Sequence, residues 1–309
     1  MFVPARRVWW GAVSWLAVLG FASLGLTEEP RSVLRVVVTI PVLKDLAEQV
    51  GGSHVAVTSL LSGLESEHTY SPKPSDVVAV RKARVLVEVG VGLEVWVQAL
   101  VKSANNPHLY VVTTSRGIAL VRNQDLRGER IRGPRDLHEG NPHVWLDPEN
   151  AKVMVRHITD AFSRVDPAHA VEYRRNQAGY LLQLDQIQRE LVERLTRVKD
   201  RRINVHHPAW PYFARRFGVK IVGTIVIQAG AEPSARHLQR LIQVIRNKGI
   251  RVVVSEPQLN QKMPEVLARE TGARLVVLTP MPGGLPGTET YLDMLRYDVQ
   301  TLAEALETP

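Results

Sequence analysis

DPAHAVEYRRNQAGYLLQLDQIQRELVERLTRVKD, residues 166–200, holds one glycine, Gly179, and no proline beyond Pro167. Asp166 and Pro167 together make a helix start. Leu181, Leu184, Ile187 or Gln188, Leu191, Leu195 and Val198 then recur at helical spacing. The stretch predicts one helix of about 30 residues, about 45 Å long at the usual rise. That is longer than either half of the chain needs for its own packing. It reads as a rigid backbone helix joining two lobes.

On both sides of it, short β-branched runs alternate with amphipathic helices. Before it come LRVVVTI (34–40), HVAVTSLL (54–61), RVLVEVG (84–90) and LYVVTTS (109–115) as strands. One helix runs through Leu43, Leu46 and Val50, and a second is expected to be capped by Ser75, with Asp76 in its first turn. After it come RRINV (201–205), VKIVGTIVI (219–227), RVVVSEP (251–257) and ARLVVL (273–278) as strands. Helices are expected over Ala209 to Phe217, from Ser234, near 262–271, and from Tyr291 to about Leu306. Such alternation predicts an α/β protein with two lobes, each a parallel-rich sheet flanked by helices. The boundaries expected are 1–25 for an N-terminal targeting segment, 26–165 and 201–309 for the lobes, and 166–200 for the connecting helix.

The 309 residues include no cysteine, which excludes disulfides, zinc fingers, iron–sulfur ligation and cysteine nucleophiles. It also argues against a lipoprotein anchored through an N-terminal cysteine. Arg6 and Arg7 precede an uncharged, mostly apolar run from Val8 to Leu26. This is the plan of a secretory signal peptide, and it is also near the length of an uncleaved membrane anchor. Either reading exports the remainder of the chain to a periplasmic or other extracytoplasmic space. The net charge is +8, but its densest stretch, RNQDLRGERIRGPR (122–135), mixes acids with arginines and has no aromatic. It reads as a solvated loop, with nothing that calls for nucleic acid as a partner.

Ten histidines occur. His54, His108, His138, His157, His169 and His237 fall at strand starts, loops or polar helix faces. Three are placed differently. His68 lies in ESEHTYSPKPSD (65–76), where prolines stiffen the passage from strand to helix. His143 lies in NPHVWLDPENA (141–151), and His207 in NVHHPAWPYF (204–213). His68 and His207 each follow a strand and precede a helix, and His143 precedes a helix beginning near Pro148; open α/β sheets bind ligands outside the carboxyl ends of their strands. Either each caps its neighbouring helix, or the three converge between the lobes. Three converging neutral imidazoles suit a transition metal, above all Zn(II), whereas Ca(II) or Mg(II) would want carboxylates.

At these motifs, together with AEPSARHL (231–238), SEPQ (255–258) and TYLDMLRYD (290–298), the chain resembles the metal-binding solute-binding proteins of ABC transporters, cluster A-I, most closely their zinc branch. The resemblance implies two α/β lobes joined by one long helix, a metal ion between them, and an ABC permease in the cytoplasmic membrane as partner. It implies His68, His143 and His207 as the imidazole ligands. Manganese-type members place a glutamate where this chain has His207. Many members supply a further aspartate after the last strand, in a Leu-Asp-Pro context. Here the context is LTP (278–280), and Thr279 occupies the aspartate's place. Glu67 is then the expected fourth ligand, with water as the alternative. The histidine-rich loop of many zinc members is missing. Asp147 and Glu256 are candidates to orient the ligands. Tyr70, Trp145, Trp210 and Tyr212 are candidates to wall the cleft or to pack the core.

The reading is thus a receptor that captures Zn(II) for import and performs no catalysis. Manganese or another divalent metal is the alternative cargo, a metal-dependent adhesin the alternative role, and a zinc hydrolase the enzymatic alternative.

Overall fold

The computed structural model of the chain describes residues 1–2, 33–121, 140–226 and 232–307. The expected targeting segment, the arginine-rich stretch 122–135 with His138, and the far end of the strand expected at 219–227 lie outside them. Strands β1 (Leu34–Val38), β2 (Val55–Ser59), β3 (Val85–Glu88) and β4 (Tyr110–Thr113) form one sheet in the order β2-β1-β3-β4. Strands β5 (Arg202–Val205), β6 (Lys220–Thr224), β7 (Val252–Ser255) and β8 (Arg274–Val277) form a second, ordered β6-β5-β7-β8. Every pairing is parallel. Parallel strands need crossovers, and here they are α1 (Pro41–Gly51), α2 (Pro74–Lys82) and α3 (Val97–Ala104) in the first lobe. In the second they are α6 (Pro211–Phe217), α7 (Ala235–Lys248) and α8 (Lys262–Thr271). Between the lobes come α4 (Pro148–Val165) and α5 (Ala170–Thr196), and α9 (Tyr291–Glu307) ends the described chain.

The long helix is α5, at 27 residues. A short 3-10 turn at Pro167–His169 separates it from α4, so its start lies slightly later than the proline signal alone suggests. Tyr180, Leu184, Ile187, Leu191 and Leu195 face inward along it. The predicted cap of α2 is corrected. Ser75 lies inside the first turn, Lys73 is the capping position, and Asp76 reaches back to accept from the Lys73 N–H at 2.7 Å. Asp76 also accepts from the Tyr70 hydroxyl at 2.7 Å, so the two bonds together fix the turn. Helix α3 is not announced by the sequence, because eight residues carry too short a periodic signal.

The lobes do not meet across a polar seam. One continuous apolar core runs from Val36 and Leu43 in the first lobe through Trp145, Leu184 and Leu191 to Val252, Val254 and Leu295. A smaller core, built on Ile225, Leu241, Ile245 and Val253, lies beneath α7 and α8. Among the described residues no helix is long and apolar enough to cross a membrane.

Leu184 is fully buried on α5. Leu184→Ala is expected to lower the unfolding free energy by about 2–5 kcal/mol through lost burial and a cavity. Urea unfolding measures this; a loss below about 1 kcal/mol would show that α5 is not part of the shared core.

Candidate metal centre

All the candidate ligands sit beyond the carboxyl ends of strands. Glu67 and His68 lie in the β2–α2 loop, His143 lies between β4 and α4, and His207 directly follows β5. Parallel pairing of β5 with β7 sets Val205 beside Val254. Two residues further on, that register brings His207 against Glu256. The side chains of Glu67, His68, His143 and His207 each offer a donor atom, all within 4.8 Å of one another. His143 Nε2 is 3.2 Å from His68 Nε2 and 3.3 Å from His207 Nε2. Glu67 Oε1 is 3.2 Å from His143 Nε2 and 3.6 Å from His68 Nε2. Ligands at about 2.0–2.1 Å from a tetrahedral Zn(II) stand about 3.3–3.4 Å apart, and the separations here fall around that edge length.

The outer nitrogens determine what the inner ones present. Asn141 Oδ1 accepts from both the backbone N–H and the Nδ1 of His143, each at 3.0 Å. The amide is oriented by its own Nδ2, which donates to the Pro208 carbonyl at 2.6 Å. His207 Nδ1 donates to Glu256, 2.8 Å from Oε1, and Trp210 Nε1 donates to the same oxygen at 2.9 Å. With Nδ1 protonated on both rings, the neutral imidazoles direct two Nε2 lone pairs at each other across 3.3 Å. Such an arrangement calls for a cation between them, a proton or a metal ion.

Glu67 is 3% exposed and His143 2%, whereas the His68 side chain is 20% exposed. His68 is the ligand candidate at the mouth. Burial, reinforced by the neighbouring imidazoles against the opposing pull of Glu67, lowers the His68 pKa to about 3. Burial first, and then His207, holds His143 well below the ordinary histidine value. Burial pushes His207 the same way, but the Glu256 charge and hydrogen bond outweigh it and leave His207 raised. A cavity of about 410 Å³ opens beside the cluster, lined by Ser66, His206, Glu232, Gln258 and Lys262 among others.

Of the residues proposed to orient ligands, Glu256 does so. Asp147 instead caps α4 by accepting from the Glu149 N–H at 3.0 Å and pairs with Arg216 at 2.6 Å. Asn141 takes the place next to His143; the signal in the sequence is an Asx residue two positions ahead of the histidine. Trp145, Trp210 and Tyr212 are buried to 1% exposure or less, and Tyr70 to 9%. Trp145 also stands 5.3 Å from the His143 ring, centre to centre. Thr279 is fully buried but is not in the cluster. Its hydroxyl donates to the Met281 carbonyl at 2.8 Å, and its N–H donates to Asp298 at 2.9 Å.

A two-lobed α/β chain with three imidazoles and a carboxylate gathered at the lobe junction defines a class, the metal-binding solute-binding proteins. The family model described as zinc-uptake complex component A, periplasmic, matches residues 36–305, and the chain belongs to that family. The high-affinity zinc uptake system protein ZnuA of Brucella abortus (strain 2308) is 28% identical over 330 residues, covering 93% of this chain and 95% of the relative. The manganese-binding lipoprotein MntA of Halalkalibacterium halodurans is 28% identical over 286 residues, covering 91% of each. A crystal structure of a ZnuA deletion mutant with zinc bound is similar at a TM-score of 0.78 and 29% identity, covering 90% of this chain and 99% of that one.

The histidine shifts have a consequence for metal-free stability. His68 titrates near 6.5 when unfolded but at about 3 when folded, so the unfolded state takes up the proton first. Its contribution is complete above about pH 6.5 and is lost as pH falls toward 3. Between about pH 6.5 and 4.5, His68→Asn in chelator should lose about 1–2 kcal/mol less than wild type. Urea unfolding at the two pH values measures it; parallel losses would mean that folded His68 is already protonated.

Proposed function

We propose that Glu67, His68, His143 and His207 bind one Zn(II) ion with four protein donors, and that the chain captures this ion outside the cytoplasmic membrane for an ABC permease. The observation that carries the ligand set is the pair of facing lone pairs on His143 and His207, with the Glu67 and His68 donors each 3.2 Å from His143 Nε2. Three imidazoles and one carboxylate suit zinc. Manganese, the alternative cargo, favours oxygen-rich shells, and Glu67 is the single oxygen donor in the cluster. Thr279 has its hydroxyl committed to the Met281 carbonyl, which supports Glu67 as the fourth ligand.

In this reading the protein performs no chemistry. Catalytic zinc sites keep an open position for water or substrate, and here a buried carboxylate fills it. Export through the N-terminal segment is part of the proposal.

Competition titration of residues 26–309 with Zn(II) and Mn(II) against a chromophoric chelator tests the reading. One tight zinc site and no comparable manganese site are expected. Glu256→Gln should weaken zinc by about 10–100-fold, the usual cost of removing a ligand's outer partner, and His207→Ala by more. Preference for manganese, or full zinc affinity in His207→Ala, would sink the ligand assignment.

Zinc must also displace a proton from His207 wherever that raised imidazole is charged. Calorimetry near pH 6.5 in buffers of different ionisation enthalpy should show proton release on zinc binding, fading at higher pH. Glu256→Gln removes the cause of the raised value and should reduce the release; equal release in both proteins would exclude His207 as its source.

A further inference from the structure

The two halves of the site are held in different ways. The segment carrying His143 precedes the long helix in sequence, yet several of its hydrogen bonds run to the second lobe. Asn141 donates to the Pro208 carbonyl, and Tyr212 Oη donates to the Asn141 carbonyl at 2.7 Å. Trp145 Nε1 donates to the Pro280 carbonyl at 2.7 Å, Tyr291 Oη donates to the Trp145 carbonyl, and Arg216 pairs with Asp147. His143 and His207 are therefore parts of one framework. The continuous apolar core beneath them opposes hinge motion between the lobes, because relative motion is expected where an interface is small and polar.

Glu67 and His68 depend on a loop. On its own lobe, that loop is held by Trp96, whose Nε1 donates to the Glu67 carbonyl at 3.2 Å. Across the cleft, Gln258 Nε2 donates to the Gly63 carbonyl at 2.6 Å and stands 3.5 Å from Thr279 Oγ1. Gln258 Oε1 has no partner among the described residues, so the side chain is held through Nε2. Gly63 is suited to this seat. Its φ is +102°, and a Cβ there would come within 2.8 Å of the Pro282 carbonyl oxygen. The loop thus lies against the second lobe four residues ahead of Glu67, with Gln258 and the loop's exposed face both bordering the cavity at the site mouth.

We propose that Gln258 is a positioning residue for metal retention: by latching Gly63 it holds the Glu67–His68 loop over the His143–His207 pair, and breaking this latch is the step that lets the ion leave. The inference rests on the four-residue zinc site proposed above. Gln258 itself is no ligand. It holds the loop against the lobe that carries the other half of the site, so its loss acts on the dissociation rate.

Stopped-flow release of Zn(II) from the whole exported chain into excess chelator tests this, with wild type, Gln258→Met (similar reach, no donor) and Gln258→Glu. Dissociation is expected to accelerate about 10–100-fold in the variants, the range for lost outer partners, and more in Gln258→Glu, whose carboxylate faces the Gly63 carbonyl. The association rate and the metal-free urea midpoint should stay near wild type. In a Glu67→Ala background, Gln258→Met should accelerate release by a smaller factor than it does in wild type, because one of the two ligands it positions is gone. Unchanged release, or the same acceleration with and without Glu67, would overturn the latch. No tight zinc binding by wild type would instead overturn the functional reading beneath it.

Discussion

Two imidazole nitrogens with their lone pairs facing across 3.3 Å repel one another unless a cation lies between them. Much of the structure around the lobe junction serves to keep His143 and His207 in that position. Asn141 and Glu256 fix the outer nitrogens, Pro208 and Trp210 fix Asn141 and Glu256, and burial denies the rings water. The folding energy of the shared core is thereby used to hold an arrangement that only a bound cation satisfies. Such pre-organisation spares the ion the cost of assembling its own ligands.

The same framework explains the asymmetry of the site. His143 and His207 rest on elements tied together by the second lobe, whereas Glu67 and His68 ride a loop that Trp96 holds to its own lobe and Gln258 to the other. A receptor must both hold and release, and a wholly rigid cage would do only the first. In the site proposed above, rigid ligands opposite a latched loop would divide the two requirements. Thr279 fits this division: its hydroxyl and N–H are used by the chain around it, which leaves the carboxylate to come from the loop side.

Much of this is legible in the residues themselves. Parallel α/β lobes follow from strand–helix alternation, and α5 from its unbroken apolar period. His68, His143 and His207 stand out by position before helices, two of them after strands, and the family resemblance brings Glu67 to the same point. Ser75 misleads because a serine before a helix is a local signal, whereas Asp76 is recruited by Tyr70 and by the Lys73 N–H together. Asp147 is ambiguous for a similar reason. A carboxylate at a helix start can cap, pair with arginine or orient a ligand, and only the placement of Arg216 on the other lobe decides among them.

By itself the sequence determined the alternation of strands and helices apart from α3, the long helix, and the three histidines placed just before helices. These are written in local periodicity, in proline and glycine positions, and in residue chemistry. The tertiary structure alone decided that Asp147 pairs with Arg216 and does not orient His143, that the His143 segment is tied to the second lobe, and that Gln258 reaches Gly63. Gln258 and Gly63 are 195 positions apart, and Trp145 and Pro280 are 135 apart. No local pattern encodes such pairs, because they come into being only when the common core brings the two lobes together.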